Sequence, residues 1–269
     1  MTSIGETFRA LHLRGDPCLM VNVWDRGSAK MMQAMGAKAL ATSSAAHAFT
    51  MGRPDGGTLT RDEALAHAAE LLSVVTVPMQ GDFENGFGDD PDTCAETVRL
   101  SAEIGLAGIC IEDIALPNDT AYAFDHAVER IAAASAAARA LPQDFVLTAR
   151  ADGIICGQYD TDEAIRRLRA FADAGADCLY APLPPDMDAL ARICAATDVP
   201  VNALVAGSFT KQTHAAFAKI GVARLSLGSS LARVTHRAMH DAATEMLGVG
   251  SFAALQKSIS SDVIDDLLT

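Results

Sequence analysis

The sequence predicts a (β/α)8 TIM barrel with additional C-terminal helices. Short β-rich segments alternate with segments whose apolar residues recur at helical spacing, and the chain contains eight such pairs. Eight pairs in 269 residues average about 34 residues each, the size of one βα unit of such a barrel. No linker rich in Ser, Gly or Pro separates the pairs. We therefore expect a single barrel domain over residues 1–269, in which residues 241–269 form a C-terminal helical extension.

Eight short runs of mainly apolar residues mark the predicted strands. In chain order they are LMVNVW (19–24), KALATSS (38–44), VPMQGDF (77–83), GICIED (108–113), FVLTARA (145–151), DCLYAPL (177–183), PVNAL (200–204) and RLSLGS (224–229). Helical patterns lie between them, for example at residues 92–104 and 161–174. This alternation is typical of a parallel sheet whose strands are joined by helices.

Glycine follows four of the predicted helices about two residues before the next strand. These glycines are Gly36, Gly105, Gly175 and Gly221. Glycine adopts the left-handed backbone conformation without a Cβ penalty, so it allows a short turn from helix to strand. An open doubly wound sheet is the alternative, but the Gly-rich fingerprint expected after its first strand is replaced here by NVWDRGS (22–28). The pattern favours the closed barrel.

Charge and composition exclude several classes of protein. The formal net charge of −13 disfavours nucleic acid as a partner, because binding phosphates requires clustered Lys and Arg. No window approaches the roughly 18 apolar residues of a membrane span, and the first residues lack the apolar core of a secretion signal. Six cysteines without a Cys-x-x-Cys pair indicate reduced thiols rather than a zinc site. We expect a cytoplasmic protein that acts on a small molecule.

Polar residues follow most of the predicted strands. The loops after the strands of a barrel share one face, so these residues are expected to meet. They are Asn22, Asp25, Thr42, Ser43, Ser44, Asp82, Glu84, Glu112, Asp113, Arg150, Asp152 and Asn202. Asp82 and Glu84 stand two apart at a strand end, and strand alternation predicts that they point the same way.

Carboxylates from neighbouring strand ends predict a metal site. Without a counterion they would repel and raise one another's pKa values, and a bound divalent cation removes this cost. Oxygen ligands suit Mg²⁺ or Mn²⁺, and Mg²⁺ keeps several of its waters. The segment GDFENGFGDD (81–90) is therefore interpreted as part of a metal shell. Asp89, Asp90 and Asp92 beside Pro91 are interpreted as residues that cap a helix.

Four ordered motifs carry a family resemblance. They are residues 21–56 (VNVWDRGSAKMMQAMGAKALATSSAAHAFTMGRPDG), 81–88 (GDFENGFG), 108–113 (GICIED) and 148–153 (TARADG). Together they resemble the isocitrate lyase and phosphoenolpyruvate mutase superfamily over residues 4 to about 240. The resemblance implies a barrel with Mg²⁺ that stabilises an enolate of pyruvate, or a close analogue, while a C–C or P–C bond to its third carbon breaks or forms.

The resemblance also implies roles for individual residues. The substrate carboxylate is held by Ser43, Ser44 and Ala45, and further substrate contacts fall on Arg150 and Asn202. The metal residues fall on Asp82 as the direct ligand, with Glu84, where the family commonly has aspartate, and Glu112. The catalytic residues fall on Arg150, Glu112 and Asp55, the last being the aspartate of a Pro-Asp pair. A metal with Arg150 would supply the positive charge that a developing enolate requires.

The loop after the fourth predicted strand departs from its relatives. Residues 114–125, IALPNDTAYAFD, contain no Cys, Lys or His, whereas family lyases acting on isocitrate or methylisocitrate carry Lys-Arg-Cys-Gly-His there, with the cysteine as proton donor. The mutases follow a proline with Lys-Thr-Asn-Ser, but here Pro117 is followed by Asn118, Asp119 and Thr120. These three residues are expected to select the substrate. Asp119 in place of a cation disfavours a phosphonate.

The sequence therefore predicts a Mg-dependent lyase that cleaves a C–C bond of a small 2-oxo or 2-hydroxy dicarboxylate, as in decarboxylation of oxaloacetate or cleavage of a substituted malate. Phosphoenolpyruvate mutase or phosphonopyruvate hydrolase activity is one alternative, and a non-catalytic metabolite-binding barrel is another. A Schiff-base aldolase is disfavoured because no lysine falls at a predicted strand end. The resemblance also implies a homotetramer, and the apolar residues of the tail at 251–269 are expected to pack on a neighbouring subunit.

Overall fold

The computed structural model describes residues 3–269 and contains a closed barrel of eight parallel strands. The barrel strands are β1 (Cys18–Asn22), β2 (Ala39–Ala41), β3 (Met79–Asp82), β4 (Gly108–Glu112), β7 (Val146–Arg150), β8 (Cys178–Tyr180), β9 (Val201–Leu204) and β10 (Arg224–Ser226). β1 pairs with both β2 and β10, which closes the barrel. Each of the eight predicted strands overlaps one of these strands, and the predicted fold class is confirmed.

Helices surround the barrel. They are α1 (Ile4–Ala10), α2 (Arg26–Ala34), α3 (Ser44–Thr50), α4 (Arg61–Leu72), α5 (Pro91–Glu103), α6 (Phe124–Arg139), α7 (Thr161–Asp173), α8 (Met187–Ala195), α9 (His214–Lys219), α10 (Ser230–Gly248) and α11 (Ser261–Leu268). The glycines that follow α2, α5, α7 and α9 have φ between 87° and 98°. The predicted left-handed turn from helix to strand is therefore present at all four positions.

An extra hairpin interrupts the alternation after β4. It consists of β5 (Ile114–Ala115) and β6 (Thr120–Ala121), which pair antiparallel. Residues 114–121 are called the β5–β6 hairpin below. It lies at the carboxyl end of the barrel strands, because β4 enters it directly.

The barrel interior is layered along the strands. Phe8 of α1 closes the amino-terminal end, where it packs with Met20, Val146 and Cys178. Side chains two residues further along a strand face the same interior. Gln80, Thr148, Asn202 and Arg224 form the next level and are all buried, and we call these four residues the polar layer. Beyond it the carboxyl ends of the strands carry the acidic residues Asp82 and Glu112.

The C-terminal elements leave apolar surface exposed. Residue 241 lies within α10, which buries Ala232 but leaves Val234, Met239 and Leu247 at least 63% exposed. α11 packs against α2 of the same barrel, while Phe252 and Leu255 between α10 and α11 are exposed. On the barrel wall, Leu19 of β1 is exposed and contributes to an open groove of about 460 Å³.

The groove is mainly apolar. Its apolar lining includes Leu11, Leu13, Pro17, Leu19, Met32 and Met35. A barrel wall is normally covered by the helix that follows each strand. The eighth helix, α10, therefore does not bury this part of the wall. Across residues 3–269 no helix combines the length and the hydropathy needed to span a bilayer.

Candidate active site

A cavity of about 450 Å³ opens at the carboxyl ends of the barrel strands. Thirteen of the residues singled out from the sequence line it. They are Asn22, Thr42, Ser43, Ser44, Ala45, Asp55, Asp82, Glu84, Glu112, Asp119, Arg150, Asp152 and Asn202. All three residues of the hairpin tip, Asn118, Asp119 and Thr120, are exposed, and Asn118 and Thr120 lie outside this lining. Of the three hairpin residues expected to select the substrate, Asp119 is therefore the one that lines the cavity.

Arg150, at the end of β7, joins three carboxylates. Its Nη1 donates to Asp82 Oδ1 at 2.9 Å and lies 2.8 Å from Glu112 Oε1. Its Nε and Nη2 donate to the two oxygens of Asp152 at 3.0 and 2.6 Å. All three nitrogens of the guanidinium are thus engaged in charge-assisted contacts, which fix its plane. The strand ends of β3, β4 and β7 are thereby linked through one side chain.

The Asp82 carboxylate is held by the turn between β2 and α3. Ser44 donates to Asp82 Oδ2 from both its backbone N, at 2.9 Å, and its Oγ, at 3.0 Å. Thr42 Oγ1 accepts from the backbone N of Asp82 at 2.8 Å. Ser43 is the N-cap of α3, and its side chain accepts from Ala46 N. Ser44 therefore orients Asp82 directly, in addition to lying where a substrate carboxylate is expected.

Glu84 reaches the cavity by a different route from the one predicted. β3 ends at Asp82, and Glu84 has a positive φ of 47°. Asp82 and Glu84 line the same cavity as expected, but strand alternation is not the reason, because the backbone has already left the strand and turned at Glu84. Glu84 Oε1 accepts from Gly57 N at 3.2 Å, and its carbonyl oxygen accepts from Glu112 N at 2.9 Å. A left-handed conformation is costly for a non-glycine residue, and these two hydrogen bonds stabilise it.

Burial and crowding raise the pKa values of the acidic residues. Burial is the main cause for Glu84, and Asp82 and Asp55 add to it, so the pKa of Glu84 rises to about 7. Burial likewise raises the pKa of Glu112, against the opposing charge of Arg150. The pKa of Asp55 is raised by burial and then by Asp82. The carboxylates thus disfavour one another's charged forms, as expected of an acidic cluster with too few cations.

The acidic residues fit a hydrated cation better than a closed cage. Among residues 3–269 no group of three His, Cys, Asp or Glu side chains is close enough to enclose a metal ion. Asp82, Glu84 and Glu112 nevertheless line one cavity and present hard oxygen donors. Mg²⁺ commonly binds through one or two carboxylates and keeps its other waters. The donor set therefore suits Mg²⁺ held by Asp82 with water-mediated contacts to the other acids.

Three residues of the polar layer, Gln80, Thr148 and Arg224, were not found from the sequence, whereas Asn202 was. Arg224 Nε donates to Asn202 Oδ1 at 2.9 Å, and its Nη1 donates to Gln80 Oε1 at 2.7 Å. Asn202 Nδ2 donates to Ser226 Oγ at 2.9 Å. Counting two residues back from each polar strand end would have identified Gln80 and Thr148 as inward-facing. Arg224 thus places a buried cation beneath the acidic residues and fixes the orientation of the Asn202 amide.

Asp89 and Asp90 lie at the start of α5, outside the cavity. Asp90 is the N-cap of α5 and Pro91 is its first residue, although the Asp90 side chain makes no capping hydrogen bond. Asp89 Oδ1 accepts from Tyr122 Oη at 2.6 Å. Neither residue lines the cavity described above. Asp90 thus occupies the expected position at the helix start, but neither Asp89 nor Asp90 caps α5 with a side-chain hydrogen bond.

The fold and the cavity define a barrel enzyme whose site is built from strand-end carboxylates around one arginine. Residues 8–247 match the family model described as phosphoenolpyruvate phosphomutase. The chain belongs to the isocitrate lyase and phosphoenolpyruvate mutase superfamily, and the assignment made from the four motifs is confirmed.

Three similar proteins illustrate this membership. A solved structure from Burkholderia cenocepacia J2315, described in general terms as a lyase/mutase, is 45% identical with a TM-score of 0.93 and covers 97% of this chain and 94% of its own. The 2-methylisocitrate lyase of Escherichia coli K12 is 30% identical over 209 residues, 75% of this chain and 69% of the relative. The oxaloacetate decarboxylase of Paraburkholderia xenovorans LB400 is 29% identical over 237 residues, 85% of this chain and 77% of the relative.

Proposed function

We propose that the protein is a Mg-dependent lyase that cleaves a C–C bond of a small 2-oxo or 2-hydroxy dicarboxylate and leaves an enolate. The observation that carries this proposal is the Arg150 guanidinium, which lies 2.9 Å from Asp82 and 2.8 Å from Glu112 in one cavity. A cation fixed beside carboxylates that can hold a second cation is suited to negative charge that develops on substrate oxygens. The relatives named as 2-methylisocitrate lyase and oxaloacetate decarboxylase support this reaction class.

Each residue of the cavity has a proposed role. Mg²⁺ held by Asp82, with Glu84 and Glu112 contacting its waters, would supply positive charge toward the substrate oxygens. Arg150 donates N–H groups to the same region and stabilises the charge left when the C–C bond breaks. Ser44 keeps the Asp82 carboxylate oriented through two hydrogen bonds.

The substrate carboxylate is assigned to the start of α3. Ser43, Ser44 and Ala45 line the cavity there, Asn202 lines it from β9, and Asp55 lines it from the loop between α3 and α4. Backbone N–H groups and hydroxyls at this turn are suitable donors to a carboxylate. We propose that these residues bind the carboxylate next to the 2-oxo or 2-hydroxy carbon, which directs the bond to be broken toward Arg150.

The β5–β6 hairpin favours a substrate whose third carbon carries a carboxylate or carbon substituent over one that carries a phosphonate. Asp119 is exposed at the rim of the cavity, where it contributes to the lining, and its backbone has a positive φ of 51°, a conformation that is costly for a non-glycine residue. A phosphonate carrying two negative charges would face this carboxylate. Like charges in a partly enclosed cavity repel strongly. The C–C lyase is therefore preferred over the phosphonopyruvate activities.

A direct substrate comparison tests the proposal. Oxaloacetate, substituted malates and phosphonopyruvate are incubated with the protein and Mg²⁺, and NMR follows the appearance of pyruvate or a related 2-oxo acid. Turnover of oxaloacetate or a malate at least about 10-fold above phosphonopyruvate is expected, because Asp119 repels the dianionic phosphonate. Efficient phosphonopyruvate hydrolysis would instead establish the alternative activity. Saturable binding of these acids without product would establish a non-catalytic metabolite-binding barrel.

We also propose that the protein assembles as a homotetramer in which α10 of one copy covers the β1 groove of another. Two unpaired apolar surfaces of the same chain support this arrangement: the exposed residues of α10 and the groove beside Leu19. Exposed apolar area of this kind is typical of a subunit contact. α11 covers α2 of its own barrel and is not needed for the contact.

Light scattering tests the assembly. At micromolar concentration the mass is expected to be four times the 28.1 kDa of one chain. Met239→Asp, which places a charge at a residue 63% exposed on α10, is expected to shift the mass toward the monomer because a buried unpaired charge is costly. Lys257→Asp introduces the same residue outside α10 and serves as the control. A monomeric mass for the unmodified protein contradicts the proposal.

A further inference from the structure

Asp113 is a buried carboxylate that the proposed reaction does not use. It follows Glu112 at the end of β4 and is 1% exposed. Its Oδ1 accepts from Asp152 N at 2.8 Å, and its Oδ2 accepts from Tyr159 Oη at 2.7 Å and Arg167 Nη1 at 2.9 Å. Asp113 does not line the cavity. Both of its oxygens instead bind groups from the segments that follow β7.

The first of these groups is the backbone N–H of Asp152, the residue whose carboxylate pairs with Arg150. Asp152 begins a short 3₁₀ turn (Asp152–Ile154) immediately after β7. Its backbone N is fixed by Asp113, and its carboxylate accepts two hydrogen bonds from Arg150. A displacement of Asp113 would therefore move the carboxylate that sets the plane of the Arg150 guanidinium.

The second group, the Arg167 guanidinium, reaches the base of the β5–β6 hairpin. Tyr122 directly follows the hairpin, and its backbone N donates to Asp113 O at 3.0 Å. Its carbonyl oxygen accepts from Arg167 Nη2 at 2.9 Å. One guanidinium thus bridges the Asp113 carboxylate and the hairpin base. Asp119, which lines the cavity, stands three residues before Tyr122.

We propose that the Asp113–Arg167 pair is a positioning unit that holds the β5–β6 hairpin and the Arg150–Asp152 pair in fixed relation across the cavity. The inference rests on the proposed function, which assigns substrate selection to the hairpin and charge stabilisation to Arg150. The side chains of Arg167 and Asp113 are 7% and 1% exposed, so the pair is poorly screened and strongly oriented. It acts through Asp152 and Tyr122 and does not touch the substrate.

Arg167→Lys tests the unit. Lysine keeps the charge, but a single ammonium cannot reproduce the planar fork that bridges Asp113 and Tyr122. Amide hydrogen exchange at residues 114–122 is expected to rise about 10-fold because the hairpin opens more often. The kcat for the substrate that is turned over is expected to fall about 10-fold, with KM changed less than about threefold, because the reacting groups are misplaced.

Arg166→Lys is the matched control. Arg166 is the neighbouring arginine on α7 and pairs with the same Glu163 that contacts Arg167, but it is exposed and lies over Phe124. Its replacement is expected to leave hairpin exchange and kcat unchanged. A folded Arg167→Lys protein that matches this control in both measurements overturns the inference, since a purely stabilising pair would lower only the melting temperature.

A milder variant keeps the inference testable if Arg167→Lys does not fold. Tyr159→Phe removes one hydrogen bond from Asp113 and leaves the ion pair with Arg167 in place. Exchange at residues 114–122 is expected to rise about threefold, and unchanged exchange counts against the inference. Exchange is measured without substrate. Failure of the positioning unit is therefore distinguished from failure of the proposed reaction, which would show as no turnover of any dicarboxylate.

Discussion

Asp82→Asn is expected to give a folded protein whose turnover is reduced about 1000-fold or more, because a preorganised charged group is lost at the reacting centre. The carboxylate accepts from Arg150 and Cys110 through Oδ1 and from Ser44 through Oδ2. An amide removes the negative charge and presents an NH₂ group to at least one of these donors. The same change removes the carboxylate proposed to hold Mg²⁺.

The fold is expected to survive this change. Arg150 keeps Glu112 and Asp152 as partners, so no buried cation is left unpaired. Steady-state kinetics with Mg²⁺ titration, together with a thermal melt, measure both effects. In the unmodified protein a chelator is expected to abolish turnover, and Mg²⁺ or Mn²⁺ to restore it.

Asp90→Asn is the matched control for Asp82→Asn. It makes the same chemical change at the start of α5, outside the cavity, where the side chain has no capping hydrogen bond. Its turnover is expected to equal that of the unmodified protein. Full activity of Asp82→Asn in saturating chelator would remove the metal hypothesis, and the acids of residues 81–90 would then be helix caps and turn residues.

Arg150→Lys is expected to lower kcat/KM about 100-fold although it conserves the charge. The guanidinium contacts three carboxylates through three nitrogens, and one ammonium cannot make these contacts or grip a carboxylate with two parallel hydrogen bonds. The melting temperature is expected to fall as well, because buried carboxylates lose hydrogen bonds. Kinetics and a thermal melt on the same preparation separate the two effects.

Arg9→Lys provides the comparison for Arg150→Lys. Arg9 of α1 also joins two carboxylates, those of Asp144 and Asp177, but on elements that precede β7 and β8 at the opposite end of the barrel. It is expected to lower stability without changing the kinetic constants. If Arg150→Lys behaves like Arg9→Lys, with unchanged steady-state constants, Arg150 is an internal salt-bridge residue and has no substrate role.

Most of the fold could be predicted from local sequence patterns. Strand and helix periodicity depends on residues a few positions apart, so the eight strands could be placed before any contact was known. Gly36 and its three counterparts follow the same logic, since a left-handed turn is a property of one residue. Strand ends such as Asp82, Glu112 and Arg150 were then expected at one face by the barrel rule alone.

Side-chain partners depended on long-range geometry. Arg150 and Asp82 are 68 residues apart in the chain, and the parallel pairing of β3 with β4 and of β4 with β7 brings them side by side. From the sequence, Arg150 could bind a substrate carboxylate or form an internal ion pair. The sequence did not indicate that Arg150 contacts three carboxylates at once. Arg224 likewise acquires its neutral partners Asn202 and Gln80 from two other strands.

The sequence by itself determined the class of fold, the superfamily and which polar residues gather at the carboxyl ends of the strands, because these follow from periodicity, turn chemistry and ordered motifs. Only the tertiary structure decided how those residues are used. It placed Asp119, but not Asn118 and Thr120, in the lining of the cavity, gave Glu84 a left-handed backbone, and left apolar residues of α10 and of the β1 groove exposed. The physical reason is that side-chain direction at a loop, and the choice among several possible partners, are set by packing between distant segments.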